Sequence, residues 1–564
     1  MESMSPGLPG GDRSGDPLLP GQTRLLYKFL QPMALKSTKT YLALLILISG
    51  FLCLVNLGTV SLWNNNEPRY AHTARNMLEA KDWITPVYKG RLRADKPVLT
   101  YWLIMASAKL LKHGRVDEFT ARLPFALLGV LGIIVIFLFG IALGGARAGF
   151  ISGLALLFTL EYIITARRCL PDMALCFFIT LSLFLFYKGY TSREKKGLFY
   201  LLAYIPAGLG FLTKGPVAIV IPGGVVLLYL AARRDLREIK DLRILPGLVL
   251  FLAIVLPWFI AVGPKFSREF FLLHNLKHAL KGLAHQKPWY FYLEAAPVPY
   301  APAIFFLPAG FWLWKQDKGK EDSPFLLPLI WFAFTFLLFS LAAAKRVIYL
   351  LPMAPALALV TGLSADRLLT GEGDKTFHLL MDLGTGLGFL SLAVAPFLLL
   401  YYKLPANPLI AALGVLPLFC FVYIFKKKDW TKSLLSMGLL FFVAYTLYFL
   451  HYQPQYDRLY RSAKPLAREI TAVVDHAPLY RMGPFDAALE FYLGRSYIPK
   501  ISRKRVPWTP PLPPGCRYFI ITREKYWLKY KKGSLQGLRP VLTSISRGKR
   551  FVLLEGHGKL STNR

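Results

Sequence analysis

A chain of 564 residues that is 54% hydrophobic, 14% aromatic and only 18% charged lacks the balance of a soluble domain, where about a quarter of residues are charged. Its net charge of +36 is mostly positive-inside bias and the lysines of a tail, so it points to a membrane and sets aside a nucleic-acid partner.

The first residues, "MESMSPGLPGGDRSGDPLLPGQT", are rich in Gly, Pro and Ser and read as part of a disordered cytoplasmic segment over residues 1–39. They lack the basic stretch, short apolar core and cleavage site of a signal peptide. Next, "TYLALLILISGFLCLVNLGTVSLW" (Thr40 to Trp63) carries no charge and can cross about 30 Å of hydrocarbon as a helix. Further apolar runs follow at Phe119–Leu143, Arg147–Ile164, Pro171–Tyr187, Leu198–Leu212, Gly215–Ala232 and Ile244–Val262. The series continues at Val298–Trp314, Phe325–Ala343, Val347–Leu363, His378–Leu400, Pro408–Phe425 and Ser433–Leu450. One span per run gives about thirteen transmembrane helices within residues 40–450.

Lysine and arginine gather in "KGYTSREKKG", "AARRDLREIKDLR", "WKQDKGKED" and "FKKKDWTK", which alternate with other loops and are placed in the cytoplasm. The long loops 63–118 and 263–297 then face outward, to the periplasm if the membrane is a bacterial inner membrane. An odd number of spans puts residues 451–564 outside as well. There "REITAVVDHAPLYRMGPFDAALEFYLGRSYIPKIS" mixes a helical pattern with short apolar strands. With "CRYFIITREKYW" and "KRFVLLEG" read as strands, this tail is expected to form a small α/β domain. Five cysteines show no metal-ligand spacing.

The outward loops also carry Arg69, Arg91, Arg93, Lys96, Arg167, Arg168, Lys214, Lys345 and Arg346. Cations at span ends on that side are costly unless an anion meets them. Each alone reads as a side chain snorkelling to lipid headgroups. As a group converging from four loops, they read as a phosphate site.

The stretch "WNNNEPRYAHTARNM" (Trp63 to Met77) opens an amphipathic helix that Asn66 can cap, with Glu67 and Pro68 in its first turn. A second such segment, "KPVLTYWLIMASAKLLKHG", follows. Two amphipathic helices on the outer surface would roof a cavity between the spans.

"NEPRYAHTARNMLEAKDWITPVYKGRLRADKPVLTYWL" resembles the first outer loop of the GT-C-type lipid-linked glycosyltransferases. These include the bacterial aminoarabinose transferase of lipid A and the dolichyl-phosphate-mannose–protein mannosyltransferase superfamily. The likeness continues, in order, through "RRCLPDMALCFF", "GFLTKGPVAIVIP", "HNLKHALKGLAHQKPWYFYL", "AKRVIYLLPMAPALAL" and "YRSAKPLAREI". It implies a GT-C membrane fold with a periplasmic α/β domain. It also implies an inverting enzyme that passes a sugar from an undecaprenyl phosphate to lipid A, another envelope glycan or a protein. A departing phosphate needs cations. Lys96 matches the family's lysine in "KP" and Arg69 its arginine in "EPRY". Lys214 in "LTKGP" and Tyr349 in "YLLP" join them as donor-phosphate ligands, with Arg346 and Arg168 as lesser candidates.

An acceptor hydroxyl also needs a carboxylate to take its proton. Family members usually carry Asp-Glu where this chain reads Asn66-Glu67. Three readings stay open. Glu67, or Asp172 in "LPDM", serves as the base; the acceptor is already ionised, as a phosphate is; or the chain is a catalytically degenerate lipid-binding homologue. The resemblance also puts Asp95 and His274 where the aminoarabinose transferase can hold a divalent ion. One carboxylate and one histidine are too few to specify a metal, and a surface aspartate with an interfacial histidine is the plainer expectation. A transporter or flippase is disfavoured, because the spans show no paired, broken halves.

Overall fold

The computed structural model describes residues 38–63, 66–272, 286–317, 319–401, 416, 417, 422, 429–483, 486–501, 512, 513, 515–532, 534–546 and 548–557. Its larger part is a bundle of apolar helices. After α1 (Thr38–Leu54), the chain leaves the bundle for α2 (Glu67–Glu79) and α3 (Leu99–Lys112). A two-stranded hairpin, β1 (Val87–Tyr88) and β2 (Arg91–Leu92), lies between them. Lys89 and Gly90 at its tip both have positive φ, 56° and 70°, as tight two-residue hairpin turns require. These are the two amphipathic helices expected from the sequence.

The chain returns through α4 (Glu118–Gly144), which an Asp117–Thr120 capping box begins. Gly145, at φ 92°, turns it into α5 (Ala146–Phe158). Gly140 and Gly149 face each other across this hairpin; a Cβ on Gly140 would stand 2.6 Å from the Gly149 Cα. Next come α6 (Leu160–Ala166), α7 (Pro171–Thr191), α8 (Lys196–Lys214), α9 (Val217–Ala232) and α10 (Ile244–Val262). Then follow α11 (Leu307–Gln316), α12 (Leu326–Leu341), α13 (Ala354–Leu369), α14 (Lys375–Tyr401) and α15 (Trp430–Leu447).

Among the described residues, seven helical runs are long and apolar enough to cross a membrane, and Thr38–Leu54, Val217–Ala232 and Leu326–Leu341 are shorter apolar helices. The chain is a multi-pass membrane protein. One of the seven runs, Glu118–Phe158, contains both α4 and α5. The expected span Pro408–Phe425 lies outside the described residues apart from 416, 417 and 422.

Several expected spans depart from a plain α-helix; Val298–Trp314 runs through turns and the 3-10 turn Ala303–Phe306 before α11 begins at Leu307. The run Arg147–Ile164 bends at Thr159, whose backbone is extended (φ −67°, ψ 116°). The N–H groups of Leu160 and Glu161 donate instead to Ala301 O at 3.2 Å and Pro299 O at 2.7 Å. Acceptors from a distant loop replace the lost helical ones, as a break inside a membrane bundle requires. The run Val347–Leu363 likewise opens as a 3-10 turn, Val347–Met353, before α13 begins.

After α15 the chain passes through π-helical turns to Arg461 and enters the tail domain. Helices α16 (Lys464–Val474), α17 (Ala487–Tyr492) and α18 (Glu524–Tyr530) pack on a sheet of β3 (Leu479–Met482), β4 (Arg517–Arg523), β5 (Arg539–Ser546) and β6 (Lys549–His557). Strand order is β3-β4-β6-β5, with β3 parallel to β4 and the other pairs antiparallel. One face buries Phe519, Ile521 and Leu553 with Leu466 and Ile470 of α16; the other buries Tyr518, Ile520 and Leu554 with Leu535. The segment "CRYFIITREKYW" is thus not one strand: it stops at Arg523, and its last residues open α18. Strand β5 had no forecast.

Candidate active site

Helix α2 is pinned at its first residue. Glu67, 1% exposed, accepts from Arg122 Nε at 2.9 Å and Nη2 at 3.0 Å. It also accepts from the Cys169 N–H at 2.9 Å and the Trp63 N–H at 3.2 Å. Burial alone would raise its pKa, but Arg122 and the Cys169 N–H together hold the carboxyl below the ordinary glutamate range. Arg122 is fully used as well, donating to the carbonyls of Leu57, Val60 and Ser61. The expectation of Glu67 as a base is corrected here: a buried, ion-paired carboxylate tying three segments together offers no free lone pair to an acceptor. Asn66 is corrected too. Its backbone is helical (φ −90°, ψ −51°), and its side chain makes no cap hydrogen bond. An extended N-cap is what would bring that side chain back onto the helix.

From the β1–β2 hairpin the chain runs directly into Arg93, Asp95 and Lys96. Arg93 is 9% exposed. It donates to both Asp95 oxygens, at 2.7 and 3.1 Å, and to Thr73 Oγ1 at 3.2 Å, and stacks over the Tyr70 ring at 4.4 Å. Lys96 Nζ donates to the Asp95 carbonyl at 2.7 Å. Burial, joined by the charges of Lys214 and Arg93, holds the Lys96 ammonium below the ordinary lysine range, while Asp95 and Asp172 pull the other way.

Helix α7 starts with Pro171 and Asp172, where a missing N–H and a carboxylate both suit the helix N-terminus. Helix α8 ends with Lys214, stopped by Gly215 at φ 90°. The two ends meet: Lys214 Nζ donates to Asp172 Oδ1 at 2.5 Å. The Lys214 ammonium also lies 4.7 Å from the Tyr349 ring centroid, and the Arg346 guanidinium stands over the same ring at 6.0 Å. Lys96, Lys214, Asp172, Tyr349 and Arg346 therefore form one group drawn from separate segments. Arg168 stands beside it, over the Trp63 ring at 4.7 Å and within the electrostatic reach of Glu67 and Glu161.

Arg69 does not join them. It is exposed on α2, and its charge acts on Tyr88 and Lys89 at the hairpin. His274 lies outside the described residues, and no group of three metal-ligand side chains occurs among the described ones. A cation at Asp95 would have to share that carboxylate with the Arg93 guanidinium.

Residues 95–260 match the dolichyl-phosphate-mannose-protein mannosyltransferase family. An uncharacterized protein of Aquifex aeolicus is 33% identical over 459 residues, 80% of this chain and 86% of that one. The undecaprenyl phosphate-alpha-4-amino-4-deoxy-L-arabinose arabinosyl transferase of Edwardsiella ictaluri is 29% identical over 62% of this chain and 64% of its own length. The match thus spans just under two thirds of that transferase. The crystal structure of ArnT from Cupriavidus metallidurans bound to undecaprenyl phosphate superposes with a TM-score of 0.73 at 22% identity, covering 92% of this chain and 98% of that one. The chain has the GT-C membrane fold of the lipid-linked glycosyltransferases and is similar to them in sequence.

Arg122 and Glu161 escaped the sequence reading, and Arg93 entered it only as one of the outward cations. Arg93 stood among many cations, and nothing local marked it as the one turned inward. Arg122 reads as the start of a span. Glu161 carried a usable signal, a lone carboxylate inside an apolar run, which membrane sequences rarely keep without a task.

Proposed function

We propose that this chain transfers a sugar from a polyprenyl (undecaprenyl) phosphate to an envelope acceptor, such as lipid A, a glycan or a protein, at the periplasmic face of a bacterial inner membrane. The observation that carries the reading is the approach of Lys96 and Lys214. Two ammonium groups from separate segments act on each other, with Asp172 paired to Lys214 and Asp95 shared with Arg93, an arrangement that an incoming phosphate would relieve. The arabinosyl transferase named above supports the donor class, since its own name specifies an undecaprenyl-phosphate sugar.

In this reaction the acceptor oxygen attacks the anomeric carbon from the face opposite the phosphate. The bond from that carbon to the phosphate oxygen breaks, and the phosphate keeps the electron pair. Lys96 and Lys214 face the charge that develops on that oxygen, and pre-placed cations lower its cost. Tyr349 and Arg346 close the same side, with Arg168 behind them. Asp172 is a positioning residue: its bond to Lys214 holds the ammonium at the end of α8. Arg93 does the same for Asp95 and the backbone that carries Lys96. Arg69 is assigned no contact with the donor, and no step is routed through a metal.

Deleting the gene and comparing the masses of lipid A, polysaccharide and glycoprotein tests the reading. A missing increment of one sugar in one of the three is expected. Unchanged masses in all three contradict it and favour the lipid-binding homologue that Asn66 suggests.

A further inference from the structure

One carboxylate of the site has no part in the reaction as described. We infer that Glu161 is its proton acceptor, taking the hydrogen of an acceptor hydroxyl as that oxygen attacks the sugar. The inference rests on the transferase reading and narrows it, because the acceptor is then a hydroxyl and not an ionised phosphate.

A hydroxyl nucleophile must lose its proton, and a nearby carboxylate is the usual recipient. The other candidates are committed. The Asn66 amide is no base, Glu67 is locked by Arg122 and two backbone N–H groups, and Asp172, 8% exposed, holds Lys214. Asp95 takes two N–H groups of Arg93. Glu161 differs in both respects that matter. It is partly exposed, and the hydrogen bond described to its side chain comes from Thr165 Oγ1 at 3.4 Å, too long to occupy the carboxylate.

Its placement is deliberate. Glu161 sits in the first turn of α6, just past the break at Thr159, with its N–H held by Pro299 O at 2.7 Å. Helix α6 packs against α7, which carries Asp172, and against the 3-10 turn that carries Tyr349. Arg168, Asp172 and Arg346 all act electrostatically on Glu161, and Tyr300 stands within the same reach. The carboxylate therefore lies within electrostatic reach of Asp172, Arg168 and Arg346, on a helix packed against those that carry Asp172 and Tyr349. Keeping an ionisable side chain in an apolar run is expensive without such a role.

The step balances. The acceptor oxygen forms its bond to the anomeric carbon and gives its proton to a Glu161 carboxylate oxygen. The carbon–phosphate-oxygen bond breaks with its electron pair on the phosphate, and Glu161 later releases the proton to water.

The test complements the deletion strain with the full chain as wild type, Glu161→Gln or Glu161→Asp. Membrane levels and thermal protection by undecaprenyl phosphate are measured for each. The readouts are the one-sugar mass increment and the stability of the new linkage to mild acid, which cleaves sugar phosphates and spares glycosides. We expect an acid-stable increment restored by wild type, cut about 100-fold or more by Glu161→Gln and partly restored by Glu161→Asp, the scale of a lost general base. If the glutamine variant does not reach the membrane, the aspartate variant decides, with about a tenfold loss expected. A glutamine variant at wild-type level, or an acid-labile linkage, overturns the assignment of Glu161 alone. No increment from wild type overturns the transferase reading with it.

Discussion

Glu67 and Arg122 form a bidentate ion pair at 2.9 and 3.0 Å with both side chains at most 4% exposed, fastening α2 to α4. Breaking one side of such a pair strands the other charge in a buried place, at a cost of about 3–5 kcal/mol. Glu67→Gln and Arg122→Ala are each expected to lower thermal stability steeply in detergent, while the double variant Glu67→Gln/Arg122→Met recovers much of the loss. A Glu67→Gln protein of unchanged stability but abolished transfer would instead make Glu67 a reacting group.

Lys96 and Arg69 come from one loop and have opposite expectations. Lys96→Ala removes a cation from the phosphate group and is expected to cost about 10²–10³ in transfer rate, the scale of one lost electrostatic donor. Arg69→Ala alters an exposed side chain beside Tyr88 and Lys89 and is expected to stay within a few-fold of wild type. Initial rates in membrane vesicles at matched protein levels check both. Equal losses in the two would put Arg69 back at the donor.

The Lys96 ammonium sits below the ordinary lysine range because burial and the neighbouring cations disfavour its charge. In the window between that lowered value and the unfolded one, 10.5, the unfolded state binds more protons, so the ligand-free protein gains stability as pH rises. Phosphate binding runs the other way, since it needs the ammonium. Affinity for undecaprenyl phosphate is expected to fall as pH climbs into this window, and Lys96→Arg is expected to shift that fall to higher pH. Titration of binding in nanodiscs measures it.

Glu490, 3% exposed, joins the tail domain to the hairpin that precedes Lys96. It accepts from Lys89 at 2.9 Å and the Tyr88 hydroxyl at 3.1 Å, with Arg481 at 3.5 Å. Glu490→Gln leaves two cations without their carboxylate and is expected to speed hydrogen exchange across Val87–Leu92 and to lower transfer several-fold. Exchange at the wild-type rate would show that the hairpin is ordered without the tail domain.

The bundle was legible because hydrocarbon tolerates few alternatives to an apolar helix, and runs such as Pro171–Tyr187 declare themselves. The break at Thr159 was not, since the acceptors that satisfy its free N–H groups come from residues 299 and 301. In the site, Lys96, Lys214, Asp172 and Tyr349 were singled out by the resemblance of their short motifs to the family's, not by hydropathy or charge alone. Glu67 was misjudged because its partner Arg122 lies on another helix, and Arg69 because its motif says nothing of which way the helix turns. Glu161 was passed over inside a run read only for its hydropathy.

The central claim is that Lys96 and Lys214 meet one phosphate. It is tested most directly by the dissociation constant of undecaprenyl phosphate for the wild-type chain, Lys96→Ala and Lys214→Ala in nanodiscs of fixed lipid composition. Each single variant is expected to bind at least about tenfold more weakly, a loss of about 1.4 kcal/mol, with the helical fold intact. Wild-type affinity in both variants would contradict the account.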